Sequence, residues 1–303
     1  MPDLPPDRGS IATEQTNPAS AGLHALSVRE CVELINREDA RVIEAMREAQ
    51  GDLAALIEEA EPGFVRGGRL IYLGAGTSGR LGVLDASEAP PTFQVAPGRV
   101  VGLIAGGDAA LRTSSESKED DPDGAREELA RLGLTPNDTV IGLAAGGTTP
   151  YVRGAMGIAK ELCDGCRTAM ISCSPVDRPA GCDRLVVLDT GPEVVTGSTR
   201  MKAGTATKLA LNTISTTLMV REGRVYANLM VDLRATNDKL RDRAARIVTR
   251  LTGLERQDAF GLLDRAGGGV KCAVVMHRLG VQQDEAERLL SEARGRLDGV
   301  IGG

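Results

Sequence analysis

Aromatic side chains are nearly missing from this chain of 303 residues: it has no Trp, three Tyr and three Phe. A platform of stacked rings, used elsewhere to hold bases or sugar faces, has no material here. Histidine is as scarce. His24 and His277 stand far apart in sequence, which disfavours a His-based triad or a His-rich metal centre. No apolar run approaches the roughly 18–20 residues needed to cross a bilayer, so no membrane partner is expected. The opening MPDLPPDRGS carries no basic and apolar leader, and the expected compartment is the cytoplasm. Positive charge is also in deficit. The 36 Lys and Arg against 42 Asp and Glu leave a net charge of −6, which argues against a nucleic-acid partner.

What is present points to a globular protein. Hydrophobic residues make up 42% and charged residues 26%, and the length suffices for one large core with appendages. The six cysteines are expected as thiols. Cys163 and Cys166 form a CDGC motif, followed by Cys173 and Cys182, which invites a zinc reading. The last two are scattered, and Cys173 closes an apolar strand, so no metal is expected.

Residues 1–20 are rich in Pro, Asp, Ser and Thr and read as a tail. Ser27 with Glu30 three residues on is a capping-box pattern that opens a helix through Ala49. A second helix is predicted over 54–66. Strands then alternate with helices: strand 69–73, helix 78–86, strand 99–104, helix 123–132, strand 138–144, helix 150–162, strands 168–173 and 184–188, and a long helix over 200–221. VVGLIA, TVIGLAA and TAMISC are near-continuous apolar runs, the signature of parallel strands covered on both faces. The alternation predicts a doubly wound α/β fold, with ligands beyond the carboxyl ends of the strands. After Leu233 the pattern is helical throughout, over 237–254, 256–265, 269–279 and 282–297. The expected organisation is a tail and helix over 1–50, a ligand domain over 51–233 and a small all-α domain over 234–303.

Leu73 to Phe93, LGAGTSGRLGVLDASEAPPTF, is the most informative stretch. A strand runs into a turn of Gly76, Thr77, Ser78 and Gly79, and a helix follows that ends at Pro90-Pro91. Helix N-termini present unpaired N–H groups and favour negative charge, so such a turn is an anion site. Ser87 and Glu88 stand at the far end of the same helix. Two more Gly-rich turns follow other strands: Ala105-Gly106-Gly107, leading into LRTSSESKEDD, and Gly146-Gly147-Thr148-Thr149-Pro150. The first turn lacks the pattern of a dinucleotide fold and of a P-loop. A fourth segment, residues 191–216, gathers Thr196, Ser198, Thr199, Arg200, Lys202, Thr205 and Thr207. It suits an anionic, hydroxylated ligand or a subunit contact.

GAGTSGRLGVLDASE, IAGG with ESKEDD, TPYV, GPEVVTGSTRMKAGTATKLALNTIST, NLMVDLRATNDKL, TEQTNP and GGVKCAVVM together resemble the N-acetylmuramic acid 6-phosphate etherases. These are sugar isomerase (SIS) proteins related to the glucokinase regulatory protein. The likeness spans about residues 13–300 with the motifs in the family's order. It implies a five-stranded parallel sheet, a small helical C-terminal domain, a homodimer, and a lyase without cofactor or metal that acts on a phosphorylated amino sugar.

By the resemblance, Glu88 of DASE is the proton donor to the leaving group and Glu119 of ESKEDD takes the C2 proton; Glu116 is the competing assignment for the second role. Gly76, Thr77, Ser78, Ser87, Gly147, Thr148, Thr149, Ser198 and Lys202 are the expected phosphate and substrate contacts. Two departures stand out. The third turn reads Gly146-Gly147-Thr148-Thr149-Pro150-Tyr151 where the family has SGRTPY, and Thr16 replaces the Arg of TEQRNP. Each lost charge-assisted contact is worth about 1.5–3 kcal/mol. Two other readings fit the residues: a non-catalytic sugar-phosphate regulator, and an aldose–ketose isomerase that needs no acid at the C3 oxygen.

Overall fold

The computed structural model describes residues 7–113, 118–233 and 237–302; Glu116 lies outside them. Five strands, β1 (Leu70–Gly74), β2 (Val100–Ile104), β3 (Thr139–Ala144), β4 (Arg167–Ser172) and β5 (Arg184–Val187), form one parallel sheet in the order β2-β1-β3-β4-β5. All residues of β1 and β3 are buried, as apolar runs covered on both faces must be. The chain leaves β1 for β2 on one side and returns to β3 on the other. The order therefore reverses between β1 and β3, and in such sheets the crevice for ligands opens beyond their carboxyl ends.

Two helices precede the sheet, α1 (Val28–Glu48) and α2 (Gln50–Val65). Ser27 accepts from the Glu30 N–H while Glu30 accepts from the Ser27 N–H, which is the capping box read in the sequence. The crossovers carry α3 (Gly76–Phe93), α4 (Arg126–Leu132) and α5 (Pro150–Leu162), and α6 (Lys202–Arg221) follows the last strand. The starts of β1 and β3 are tied by Asp138, only 1% exposed. Its carboxylate accepts from the Arg69 N–H at 2.7 Å, the Arg69 Nη2 at 2.6 Å and the Thr135 N–H at 2.7 Å.

The chain forms two compact units, Met1–Ser87 with Gly98–Ser215, and Glu88–Pro97 with Thr216–Gly303. The second contains a short antiparallel hairpin, β6 (Val225–Tyr226) and β7 (Leu229–Met230), that the sequence pattern does not announce. Around it stand α7 (Asp238–Thr252), α8 (Arg256–Arg265), α9 (Val270–Leu279), α10 (Gln283–Glu292) and α11 (Asp298–Ile301). Val248, Leu262, Ala273, Val274 and Leu297 contribute to its apolar core. The buried Lys271 ammonium reaches Asp232 at 2.7 Å and the Gly295 carbonyl at 2.6 Å. No helix among the described residues is long and apolar enough to cross a membrane.

Two expected helix ends are corrected. The helix after β1 does not stop at Pro90-Pro91 but runs through both to Phe93. Each proline removes one N–H, so only the Ala86 and Ser87 carbonyls lose their helical partners. Beyond them the Gln94 N–H still donates to the Pro90 carbonyl at 2.9 Å. The helix expected over 282–297 breaks after Glu292. Arg294 and Gly295 adopt positive φ of 53° and 74°, and the Gly295 N–H turns back to the Leu290 carbonyl at 2.7 Å. The dense charges of this stretch mask the break in the sequence.

Candidate active site

At the carboxyl end of β1, Gly76 opens α3 with φ +52°, a conformation that suits glycine. Thr77 and Ser78 follow in the first turn, both half-buried. Gly79 lets this head sit directly on the strand, because a Cβ there would lie 2.6 Å from the Gly74 carbonyl oxygen. The first N–H groups of any helix have no acceptors within it, so the head of α3 is electropositive.

The head of α6 lies beside it. A Cβ on Gly204 would stand 3.5 Å from the Thr77 methyl and 3.3 Å from the Thr199 carbonyl, so Thr77 is next to the segment that carries Ser198. The N-terminus of α6 is already capped. The Lys202 and Ala203 N–H groups donate to Glu193 at 3.0 and 2.9 Å. Glu193 is wholly buried, and burial raises its pKa despite those two bonds. Lys202 is only 2% exposed, and its ammonium points to Glu38 at 3.0 Å. Asn17 donates to the same Glu38 carboxylate at 2.6 Å and to the Pro192 carbonyl at 3.2 Å. Burial would raise Glu38, yet the bonds from Lys202 and Asn17 outweigh it and hold the carboxyl below its ordinary value.

The third turn is the head of α5. Gly147 has φ +72°, and a Cβ on it would come 2.6 Å from the Val176 side chain and 2.7 Å from Ser172 Oγ. Thr148 and Thr149 follow, half-buried, with Pro150 in the first turn. The N-terminal arm packs on this turn and its neighbours. Thr13 is fully buried; its N–H donates to Ser174 Oγ at 3.2 Å, and its carbonyl accepts from the Gly197 N–H at 3.2 Å.

Glu119 is drawn to the same helix head. Its carbonyl accepts from the Tyr151 N–H at 3.0 Å, and its residue is half-buried. Closer still is the Pro122 carbonyl, which a Cβ on Gly154 would meet at 1.9 Å. The structure thus gathers Gly76, Thr77 and Ser78 next to the Ser198 segment, and fastens Glu119 to the head bearing Gly147, Thr148 and Thr149. Ser87 and Glu88 are exposed further along α3, with the Ser87 hydroxyl donating to the Leu84 carbonyl at 2.8 Å.

Sequence reasoning misses several contributors. Asp85, 7% exposed, accepts from Asn212 at 2.9 Å and Ser215 at 3.2 Å and joins α3 to α6. Fully buried Tyr72 on β1 has its pKa raised well above the usual phenol value, chiefly by burial and then by the Asp85 charge. An acid inside an apolar helix stretch, GVLDAS, is the signal that could have found Asp85. Glu38 and Thr13 are distant in sequence from what they hold, so no local pattern marks them, whereas Glu193 lies nine and ten positions before the N–H groups it caps. Among the described residues no group of three His, Cys, Asp or Glu is placed to hold a metal ion. All six cysteines are free, and burial pushes the Cys173 thiol up to about 12.

Residues 52–160 match the glucokinase regulatory protein N-terminal SIS domain. The N-acetylmuramic acid 6-phosphate etherase of Trichormus variabilis is 50% identical over 292 residues, covering 96% of this chain and 94% of that protein. That of Crocosphaera subtropica is 49% identical over 296 residues, covering 97% and 96%. Among solved structures, a chain of E. coli CFT073 in complex with A5P aligns with a TM-score of 0.46 at 15% identity, covering 67% of this chain and 97% of that one.

Proposed function

This chain belongs to the N-acetylmuramic acid 6-phosphate etherase family, and we propose that it splits the D-lactyl ether of N-acetylmuramic acid 6-phosphate. The products are N-acetylglucosamine 6-phosphate and D-lactate. The observation that carries this reading is the near-full-length identity of about half the residues; the motif resemblance assigns the two catalytic glutamates to Glu88 and Glu119.

The chemistry needs only the chain's own side chains. In the open-chain sugar, the C1 aldehyde acidifies the C2 proton. Glu119 as carboxylate removes that proton, the C2–H electron pair forms the C2=C3 double bond, and the C3–O bond breaks. Glu88 as carboxylic acid gives its proton to the departing lactate oxygen. Water then adds to the unsaturated aldehyde, hydroxyl to C3 and proton to C2, and the two acids return to their first states. Two carboxyls in opposite protonation states are the usual solution for such paired transfers.

The phosphate goes to the head of α3, on Gly76, Thr77 and Ser78, with Ser198 alongside. The heads of α6 and α5 are less open to it: Glu193 caps the first, and the Glu119 carbonyl takes the Tyr151 N–H of the second. Gly147, Thr148 and Thr149 flank the sugar. Lys202 is buried and paired with Glu38.

The family likeness implies a homodimer, and we read each site as taking Glu119 from one protomer and Glu88 from its partner. The test mixes two inactive variants, Glu88→Gln and Glu119→Gln, under conditions that exchange subunits. Shared sites predict recovered lactate release, because each mixed dimer holds one intact pair. A mixture that stays inactive, with exchange verified, contradicts the shared site.

A further inference from the structure

We propose that Arg153 is a specificity-determining residue for this reaction: its guanidinium takes the lactyl carboxylate of the substrate. The assignment rests on the reading of Glu119 as the base. N-acetylmuramic acid 6-phosphate carries two anions, the phosphate and the carboxylate of the lactyl group. The product N-acetylglucosamine 6-phosphate keeps only the first. The head of α3 takes the phosphate, so the carboxylate needs a cation elsewhere. That carboxylate lies close to the ether oxygen on C3, and C3 is bonded to the C2 that Glu119 deprotonates. Its cation therefore belongs at the helix head that holds Glu119.

That head is the start of α5. The Tyr151 N–H there takes the Glu119 carbonyl at 3.0 Å, and Arg153 follows as the fourth residue of the helix. Helical side chains lean toward the N-terminus of their helix. The half-buried Arg153 reaches past it. Its Nη1 donates to the Gly147 carbonyl at 3.1 Å, before the helix begins, and to the Asp177 carbonyl at 3.2 Å. Asp177 lies between β4 and β5. The guanidinium thus stands beside the turn of Gly147, Thr148 and Thr149, where the chain has just left β3.

Two features fit this cation to a carboxylate. Both contacts come from Nη1, so the Nε and Nη2 edge has no partner among the described residues. That edge is the one arginine offers to a carboxylate in a paired, two-bond contact. Both contacts are also to carbonyl oxygens. Among the described residues no carboxylate pairs with Arg153, so its charge is left for a ligand. Two other cations close to the glycine turns are already committed. Arg80 gives Nε and Nη2 to the Leu111 and Ala110 carbonyls, and Lys202 is paired with Glu38. Thr148 stands where the related pattern SGRTPY has arginine, and between Gly146 and Arg153 the chain has no other Lys or Arg. Arg153 is thus the positive side chain of this helix head.

The experiment uses the Glu119→Gln chain, so that substrate is bound without being consumed, with and without Arg153→Met or Arg153→Lys. Calorimetry gives the Kd for N-acetylmuramic acid 6-phosphate and for N-acetylglucosamine 6-phosphate. Methionine keeps much of the aliphatic stem's packing and removes the charge. The expected result is a substrate Kd raised roughly 10- to 100-fold by Arg153→Met, the scale of one charge-assisted contact. A smaller rise is expected in Arg153→Lys, which keeps the charge without the paired edge, and an unchanged product Kd in both. The unchanged product Kd also certifies that the variant is folded; if Arg153→Met does not fold, Arg153→Lys carries the comparison, with a raised substrate Kd at unchanged product Kd expected. An unchanged substrate Kd overturns the proposal. Equal weakening of both ligands also overturns it, because a phosphate ligand or a mere brace of the turn acts on both. Parental lactate release by Glu119→Gln removes the base and this proposal together. Lactate from the parent, none from Glu119→Gln, and a substrate Kd that Arg153→Met leaves unchanged remove Arg153 alone.

Discussion

The backbone N–H of Tyr151 donates to the carbonyl of Glu119 at 3.0 Å. One hydrogen bond thus joins the head of α5 to a loop that begins beyond a different strand. Without it, an acidic run ending in Glu119, Asp120 and Asp121 has every reason to lie in solvent. With it, the glutamate is placed beside the third glycine turn at the crevice between β1 and β3.

Gly154 is the most sensitive point of that attachment. A Cβ there would stand 1.9 Å from the Pro122 carbonyl oxygen, and backbone cannot yield as a flexible side chain would. Gly154→Ala should therefore push the Glu119 segment off α5. We expect a fall in kcat on the order of 10²-fold and a loss of about 1–3 kcal/mol in urea unfolding. A variant with parental kcat and stability would show that the loop is not held here.

Asp138 tests how the sheet beneath the site is held. It is buried with Arg69 and Thr135 as donors, and removing one partner of such a pair costs about 3–5 kcal/mol. Asp138→Ala should lose that order of stability. The sign of the pH effect follows from its pKa. Burial pushes the carboxyl up, but the hydrogen bonds from Arg69 and Thr135 outweigh this and leave it below the ordinary value. Its contribution is then full above the unfolded pKa of about 3.9 and is lost as pH falls through the lower folded value. The stability gap between parent and variant should shrink between about pH 5 and pH 2. A gap that is constant over that range would contradict the assignment.

The strands and most helices were legible because their signals are local. The apolar runs at 69–73 and 138–144 predict β1 and β3 within a residue, and Ser27 with Glu30 predicts its own cap. The Gly76–Gly79 turn was equally plain. What escaped depends on long-range contacts. Nothing near Lys202 says that its ammonium turns to Glu38 across 164 positions. Pro90-Pro91 misled because two missing N–H groups look like a stop, whereas the helix loses only two bonds there.

The central claim is that Glu88 and Glu119 are the acid and base of an ether elimination. Its most direct test is incubation of the parent chain, Glu88→Gln and Glu119→Gln with N-acetylmuramic acid 6-phosphate, followed by enzymatic detection of D-lactate. The account predicts lactate from the parent and none above background from either variant, with both variants still binding N-acetylglucosamine 6-phosphate. No lactate from the parent, or parental rates from either variant, would contradict it.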